Sequence, residues 1–235
     1  MQLLKNKPTS ASKSLRVFAH LLGYPGKELR ADLADMRVVL AEEKALSTAR
    51  IAELDALMAS LACRPPLDVE SEYVEVFDRG RATSLHLFEH VHGDSRERGP
   101  AMIDLAQTFE TAGLYLAPGE MPDYLPVVLE FTSTQPPREA RAFLAEIAHI
   151  LNAMFAALQQ RGSAYASVIG ALLELAGESA QPVKVAAEEP IDESWREPPA
   201  FDGCSSKGQA GPGQPQPIHF VRHPSGKGSS TGAIA

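Results

Sequence analysis

The sequence has few of the features that mark secreted, membrane or redox proteins. Its two cysteines, Cys63 and Cys204, lie far apart and form no CxxC motif, so neither a disulfide framework nor a cysteine metal site is predicted. No apolar run approaches the ~20 residues that a membrane helix requires, and the N-terminus lacks the apolar core of a signal peptide. These absences predict a soluble, cytoplasmic protein without membrane insertion.

Aromatic residues and positive charge are also scarce. Aromatic side chains make up 6% of the chain and the formal net charge is -8, so the basic footprint of a nucleic-acid-binding protein is missing. We therefore expect no nucleic-acid partner and a preference for a basic one. Strand-like alternation is hard to find, whereas aliphatic residues and alanine are abundant, as in packed helices.

Apolar residues recur at helical spacing over residues 10–177. The spacing predicts an all-α, bundle-like domain of about nine helices, in which the run from Arg138 to Gly162 forms one long central or flanking helix. We expect His149 to be an ordinary boundary residue of that helix. Residues that suit helix ends support this interpretation, and they are Ser47, Pro100, Pro122, Gly162 and Gly177.

The composition changes after Gly177. Residues 178–235 are rich in proline and glycine and poor in apolar groups, which predicts a disordered tail outside the helical domain. Two short apolar segments within it, residues 192–201 and 217–224, are candidates for docking on the domain or on a partner, although an unfolded tail explains them equally well.

One stretch of the domain, "TSLHLFEHVHGDSRERGPAM" at residues 83–102, concentrates residues that carry chemistry. His86 and His90 are four apart, a spacing that zinc sites use, and His92 is close by. A small helical metal-binding or metal-delivery protein is therefore one alternative, although the HExxH order and any cysteine ligand are absent. Catalysis finds less support, because no nucleophile with a base, no G-x-S-x-G elbow and no phosphate loop is present.

The structural alternative for the same stretch is a short helix. Leu85, Phe88 and Val91 would bury one side of it, and Gly93 would end it. A second stretch, "GEMPDYLPVVLEF" at residues 119–131, predicts a helix that Pro122 starts, with Asp123 in its first turn and Pro126 within its opening turns.

The distribution of charge indicates a binding surface. Residues 99–137 contain no lysine or arginine but several acids, and residues 68–78 are likewise acidic without a base. If these segments are neighbours, they form an acidic face beside apolar side chains. Such a groove suits a basic amphipathic peptide, because apolar contacts supply affinity and carboxylates select for lysine or arginine.

The segments 73–105 and 121–131 resemble the family of nitrate reductase assembly chaperones, within the wider group of redox-enzyme maturation chaperones. The resemblance covers roughly residues 15–176. The first family motif falls on Ser84, Leu85, Phe88, Glu89, His90, Val91, His92, Gly93, Ser95, Arg96 and Arg98, and the second on Pro122, Asp123, Tyr124, Leu125 and Pro126.

The resemblance implies a dedicated cytoplasmic chaperone without catalytic activity or a cofactor of its own. It implies binding of the N-terminal segment of the catalytic (alpha) subunit of respiratory nitrate reductase, which is held competent for molybdenum cofactor insertion before it attaches to the membrane subunit. We expect a monomer or weak dimer.

Both interpretations together predict the residues that bind the client peptide. The predicted contact residues are Tyr73, Phe77, Leu85, Phe88, Glu89, His90, His92, Arg96, Asp123, Tyr124, Leu125 and Glu130. Glu75, Glu89, Glu120, Asp123 and Glu130 are expected to set the charge of the groove. The histidines at 86, 90 and 92 are expected to make the peptide affinity depend on pH.

Overall fold

The protein is described by a computed structural model that covers residues 10–93 and 95–180. Over these residues it forms ten α-helices and one 3-10 turn and has no strand, which confirms the all-α prediction. The helices are α1 Ser12–Leu21, α2 Lys27–Glu43, α3 Thr48–Cys63, α4 Pro66–Phe77, α5 Leu87–Val91, α6 Arg98–Thr111, α7 Leu125–Thr134, α8 Pro137–Glu146, α9 Ala148–Gln160 and α10 Ala166–Ala176, and the 3-10 turn spans Arg81–Thr83.

Helix α10 forms the centre of the core. Val168, Ile169, Leu172 and Leu173 are all buried, and a helix that is apolar on every side must be surrounded by other elements. Helices α3, α8 and α9 pack around it, and α1 links it to a second layer formed with α2 and α7. The central helix is therefore α10, and the run from Arg138, which carries polar residues along one side, flanks it.

Most of the predicted helix ends are confirmed. The Ser47 side chain accepts a hydrogen bond from Arg50 N at 3.3 Å and caps α3, and Gly177 ends α10 in the left-handed conformation, with φ +81°. Pro100 lies in the first turn of α6. The prediction that Pro122 starts α7 is wrong. Pro122 lies in a turn three residues before α7, and Pro126 is the proline in the first turn of that helix.

The run from Arg138 does not form one helix. Helices α8 and α9 are separated at Ile147 and bend by 63°. The carbonyl of Glu146, which would accept from Ile150 N in a continuous helix, accepts instead from His149 Nδ1 at 3.1 Å, while Ile150 N donates to the Ile147 carbonyl at 3.0 Å. A side chain that enters the backbone hydrogen-bond ladder in this way bends a helix, and this gives His149 a role in the bend.

Several predictions concern residues or properties that the structure covers only in part. No single helix within residues 10–93 and 95–180 is long and apolar enough to cross a bilayer, and the bent pair α8–α9 passes that test only when both halves are counted. Cys63 is a free, exposed thiol. Cys204 and the predicted tail with its two apolar segments lie outside the described residues, so the domain boundary at 177 stays a prediction.

Candidate functional site

The two motifs of the sequence meet in the fold. Leu125 N donates to the Leu85 carbonyl at 2.8 Å, and Leu87 N donates to the Asp123 carbonyl at 3.0 Å. Between these bonds His86 and Tyr124 form an antiparallel β-bridge. The start of α5 and the entry to α7 are therefore held together by backbone hydrogen bonds.

Asp123 is the buried centre of this junction, with a side chain that is 0% exposed. Its Oδ2 accepts from Phe88 N at 3.2 Å, and its Oδ1 accepts from His86 Nδ1 at 3.3 Å. Arg98 Nη2 lies 3.9 Å from Oδ2. The carboxylate thus accepts a hydrogen bond at the start of α5 rather than in the first turn of α7, where the sequence placed it. Arg98 and, when it is protonated, His86 compensate the charge of the carboxylate.

His86 is held in a partly buried position beside Asp123. Its ring packs on Tyr124 with the two ring centroids 5.3 Å apart. The hydrogen bond to Asp123 raises the pKa of the His86 imidazole, against the opposing effects of partial burial and Arg98. His86 is therefore poised to carry positive charge toward neutral pH.

The histidines do not converge as metal ligands would. His86 Nδ1 faces Asp123, while His90 Nε2 donates to the Ser84 carbonyl at 2.8 Å, and the His92 ring packs edge-on against Phe88 with their centroids 5.3 Å apart. Among residues 10–93 and 95–180 no group of three or more His, Cys, Asp or Glu is placed to hold a metal ion. These partners argue against the metal-binding alternative.

The predicted short helix is present, but the side that it buries is not the predicted one. Leu87 is buried and Phe88 half-buried, whereas Val91, expected in the core, is 52% exposed. The helix spans only Leu87–Val91, and Gly93 follows it with φ +52°. A side chain at position 93 would also contact the Arg81 guanidinium.

The predicted aromatic residues form part of the core. The Tyr73 and Phe77 ring centroids lie 4.9 Å apart, and both rings pack on Tyr165. Tyr73 Oη donates to the Leu22 carbonyl at 2.7 Å. Burial, together with the neighbouring Tyr124 hydroxyl, raises the pKa of Tyr73, and this phenol stays protonated.

The predicted contact residues fall into three groups, which are buried, half-buried and exposed. Five of them are buried in the core, namely Tyr73, Phe77, Leu85, Asp123 and Leu125, and their contact with a client stays a prediction. Five are half-buried around the junction, namely Phe88, Glu89, His90, His92 and Tyr124. Arg96 and Glu130 are exposed. A direct peptide contact by the five core residues would require the site to open.

An open apolar groove lies on another part of the same domain, with a volume of about 780 Å³. Helices α1, α2 and α7 form most of it, each through residues at positions i, i+3, i+4 and i+7, which fall on one helix face. These residues are Lys13, Arg16, Val17 and His20 of α1, Asp32, Asp35, Met36 and Val39 of α2, and Val127, Glu130, Phe131 and Thr134 of α7. Phe109 of α6 and Ser133 of α7 also line the groove.

The fourth wall of the groove is the loop between α6 and α7. Leu114, Tyr115 and Leu116 line the groove from this loop, and Tyr115 is 80% exposed. Glu120 also lines the groove, and its carboxylate accepts a hydrogen bond from Ala117 N at 2.9 Å. The groove therefore has apolar side chains inside and charged side chains along its rims.

The acids of α4 do not contribute to this groove. Glu70 accepts a hydrogen bond from Tyr24 Oη, and Glu72 and Glu75 form ion pairs with Arg64 and Arg79. Of the five predicted charge-setting acids, Glu120 and Glu130 line the groove. The predicted acidic face over both segments is thus reduced to the acids of α7 and its preceding loop, joined by two aspartates of α2.

The sequence interpretation missed the contribution of α1 and α2 to the groove. Lys13, Arg16 and His20 look like the solvated side of an amphipathic helix, and Asp32 and Asp35 look the same in α2. The available signal was Leu114, Tyr115 and Leu116, a short apolar run outside any helix. An apolar run outside any helix either packs against the core or lines a binding groove.

Comparisons with known proteins agree on one family. The profile described as nitrate reductase delta subunit matches residues 41–169. The chain is 43% identical over 185 residues, 79% of its length and 78% of the relative's, to the nitrate reductase molybdenum cofactor assembly chaperone NarJ of Escherichia coli K12. It is 31% identical over 155 residues, 65% of its length and 82% of the relative's, to a probable nitrate reductase molybdenum cofactor assembly chaperone of Bacillus subtilis 168.

A solved structure supports the fold. The crystal structure of a putative redox enzyme maturation protein from Archaeoglobus fulgidus matches with a TM-score of 0.51 at 18% identity, covering 76% of this chain and 100% of that one.

Proposed function

The chain belongs to the nitrate reductase delta subunit family, and we propose that it is a chaperone for nitrate reductase assembly. In this proposal it binds the N-terminal segment of the catalytic subunit of respiratory nitrate reductase. It holds that subunit competent for insertion of the molybdenum cofactor and delays attachment to the membrane subunit until insertion is complete. The cofactor belongs to the client, and the chaperone acts in the cytoplasm without catalysing a reaction.

The observation that carries this proposal is the groove between α1, α2 and α7. Three helices with matched i, i+3, i+4, i+7 faces surround a space of about 780 Å³, which suits a fourth helix that would complete a bundle. Each face covers about 10 Å, or two helical turns. An amphipathic client helix would bury its apolar side there, a recurring mode of peptide recognition.

The charges at the groove favour a basic client. Four carboxylates line it, from Asp32, Asp35, Glu120 and Glu130, against Lys13, Arg16 and His20. The chain as a whole carries a formal net charge of -8. Carboxylates at the rim of an interface steer a cationic partner and disfavour an anionic one.

The residues of the two sequence motifs have a supporting role in this proposal. Asp123 and the backbone bonds around it fix the entry to α7, and α7 presents Val127 and Glu130 to the groove. The motif would thus position one wall rather than touch the client. Contacts between the client and Phe88, Glu89, His90, His92, Arg96 or Tyr124 stay predictions.

A paired substitution on α2 tests the groove. Val39 is partly buried and lines the groove, whereas its neighbour Val38 is 55% exposed and lies outside the lining. Calorimetric titration would use a synthetic peptide of about 20 residues from the client's N-terminus, longer than the two turns that each face covers. We expect Val39→Gln to weaken binding about tenfold through lost apolar burial, with Val38→Gln close to wild type. Equal affinities for both variants, each shown to be folded, would contradict the groove as the binding site.

A further inference from the structure

We propose that the groove between α1, α2 and α7 imposes one direction on the helix it binds, with the N-terminus of the client at the His20 end. This inference rests on the proposed function and deepens it. The direction follows from how the three helices run and from where their charges lie.

Helices α1 and α2 run in opposite directions. His20 Nε2, at the end of α1, lies 3.5 Å from Asp32 Oδ2 near the start of α2. At the opposite end, the Glu43 carboxylate at the end of α2 accepts from Lys13 N at 3.0 Å and Ser14 N at 2.6 Å. One end of the groove is therefore marked by His20 and the other by Lys13.

Helix α7 also runs opposite to α1. Ser12 Oγ donates to the Ser133 carbonyl at 2.6 Å, and Arg16 Nε donates to Ser133 Oγ at 3.2 Å, so the end of α7 lies near the start of α1. Glu130, one turn earlier, lines the groove together with His20. The same two residues line an adjoining cavity of about 510 Å³ beyond the end of α1.

The charges are consequently unequal at the two ends of the groove. Asp32 and Glu130 lie at the His20 end, whereas Lys13 and Arg16 lie toward the opposite end. Asp35 lies between the two ends, one turn further along α2 than Asp32. Glu43 is also near Lys13, but its carboxylate is occupied by the first N–H groups of α1 and it does not line the groove.

A client N-terminus brings positive charge to one end of its helix whatever its side chains are. The α-amino group is cationic below its pKa of about 8, and the first turn of a helix adds roughly half a positive charge. Both favour the His20 end. The N-termini of α2 and α7 lie at the His20 end, and their positive half charges oppose this orientation. These half charges are smaller than the full charges of Asp32, Glu130, Lys13 and Arg16.

The adjoining cavity supplies room for the first client residues. It is lined by Tyr24, by His20 and by the start of α2, and its charged side chains are Lys27, Glu28 and Glu130. The client chain would then leave the groove past Lys13 and Arg16, which places the body of the client beyond the start of α1.

Photo-crosslinking tests the direction directly. Two versions of the client peptide carry benzoylphenylalanine near the first or near the last residue, and the products on the full-length chain are mapped by mass spectrometry. We expect the N-terminal probe to attach within residues 19–32 or 127–130 and the C-terminal probe within residues 10–17 or 133–137. The reverse pattern, or the same pattern from both probes, would overturn the inference while leaving the proposed function intact. A peptide that fails to bind the wild-type chain would refute the proposed function itself.

A double-mutant cycle gives a second, independent test. Glu130 is exposed, so Glu130→Gln removes charge without disturbing the core, and acetylation removes the charge of the peptide's α-amino group. We expect acetylation to weaken binding to the wild-type chain several-fold and to have a smaller effect on the Glu130→Gln variant. Asp104→Asn, an exposed acid on α6 outside the groove, serves as the control and should retain the full effect. An equal effect of acetylation on all three chains would contradict a position of the N-terminus beside Glu130.

Discussion

Replacing Asp123 by alanine should destabilise the free chaperone rather than act on client affinity alone. The substitution leaves Phe88 N without its acceptor and removes the anion that faces His86 and Arg98. An unsatisfied buried N–H costs about 1–3 kcal/mol. The loss of a charged hydrogen bond adds about 1 kcal/mol, less than for a buried pair because His86 is partly exposed. We therefore expect the free energy of unfolding to fall by about 3 kcal/mol.

Thermal and chemical denaturation measure this loss. For a domain of this size about 3 kcal/mol corresponds to a Tm lower by about 6–12 °C. Asp123→Asn keeps an acceptor for Phe88 N and should lose about half as much, and Asp104→Ala on the exposed side of α6 should change stability by less than about 0.5 kcal/mol. An Asp123→Ala protein that melts like wild type but binds the client peptide about tenfold more weakly would refute this reasoning and make Asp123 a contact residue.

Two further predictions concern titration and buried hydroxyl groups. The pKa of His86 is raised in the folded state. Its contribution to the free energy of unfolding should therefore be complete below its ordinary pKa of about 6.5 and should be lost as the pH rises through the higher folded value. Chemical denaturation from about pH 6 to 9 should show this loss in wild type and a flatter curve for His86→Gln. Tyr165 Oη is buried without a hydrogen-bond partner among the described residues, whereas Tyr73 Oη donates to Leu22. Tyr165→Phe should therefore be neutral or stabilising while Tyr73→Phe costs about 1 kcal/mol, and equal losses in the two denaturation curves would show that the Tyr165 hydroxyl has a partner.

The helical class and most helix ends could be predicted because they depend on local spacing and local chemistry. Ser47 and Gly177 act through hydrogen bonds and backbone angles within a few residues. The bend at Ile147 could not be predicted in the same way, because no proline or glycine marks it. It depends on a hydrogen bond from His149 to a carbonyl three residues earlier, one of several partners open to an exposed imidazole.

The candidate groove was harder to predict because a motif does not reveal which of its residues face solvent. Asp123 carries a charge, and its position beside a proline resembles an exposed helix entry, yet the fold uses it to satisfy the start of another helix. The predicted groove, apolar with acidic rims, resembles the groove in the fold in its apolar lining, but the observed rims carry Lys13 and Arg16 as well as carboxylates. Its position differs, because the pairing of α1 with α2 and α7 is a long-range property that helical periodicity does not encode.

Under the proposed function, the charged rims of the groove set the association rate of the client, and its apolar floor sets the dissociation rate. Exposed carboxylates act over about 8 Å at physiological salt, so added salt should slow capture without releasing a helix that is already seated. Residence depends on the buried apolar strip, which salt affects little. Under the proposed function, release of a finished enzyme would therefore require competition for that strip, and folding of the client around its own N-terminal segment is one event that would supply it.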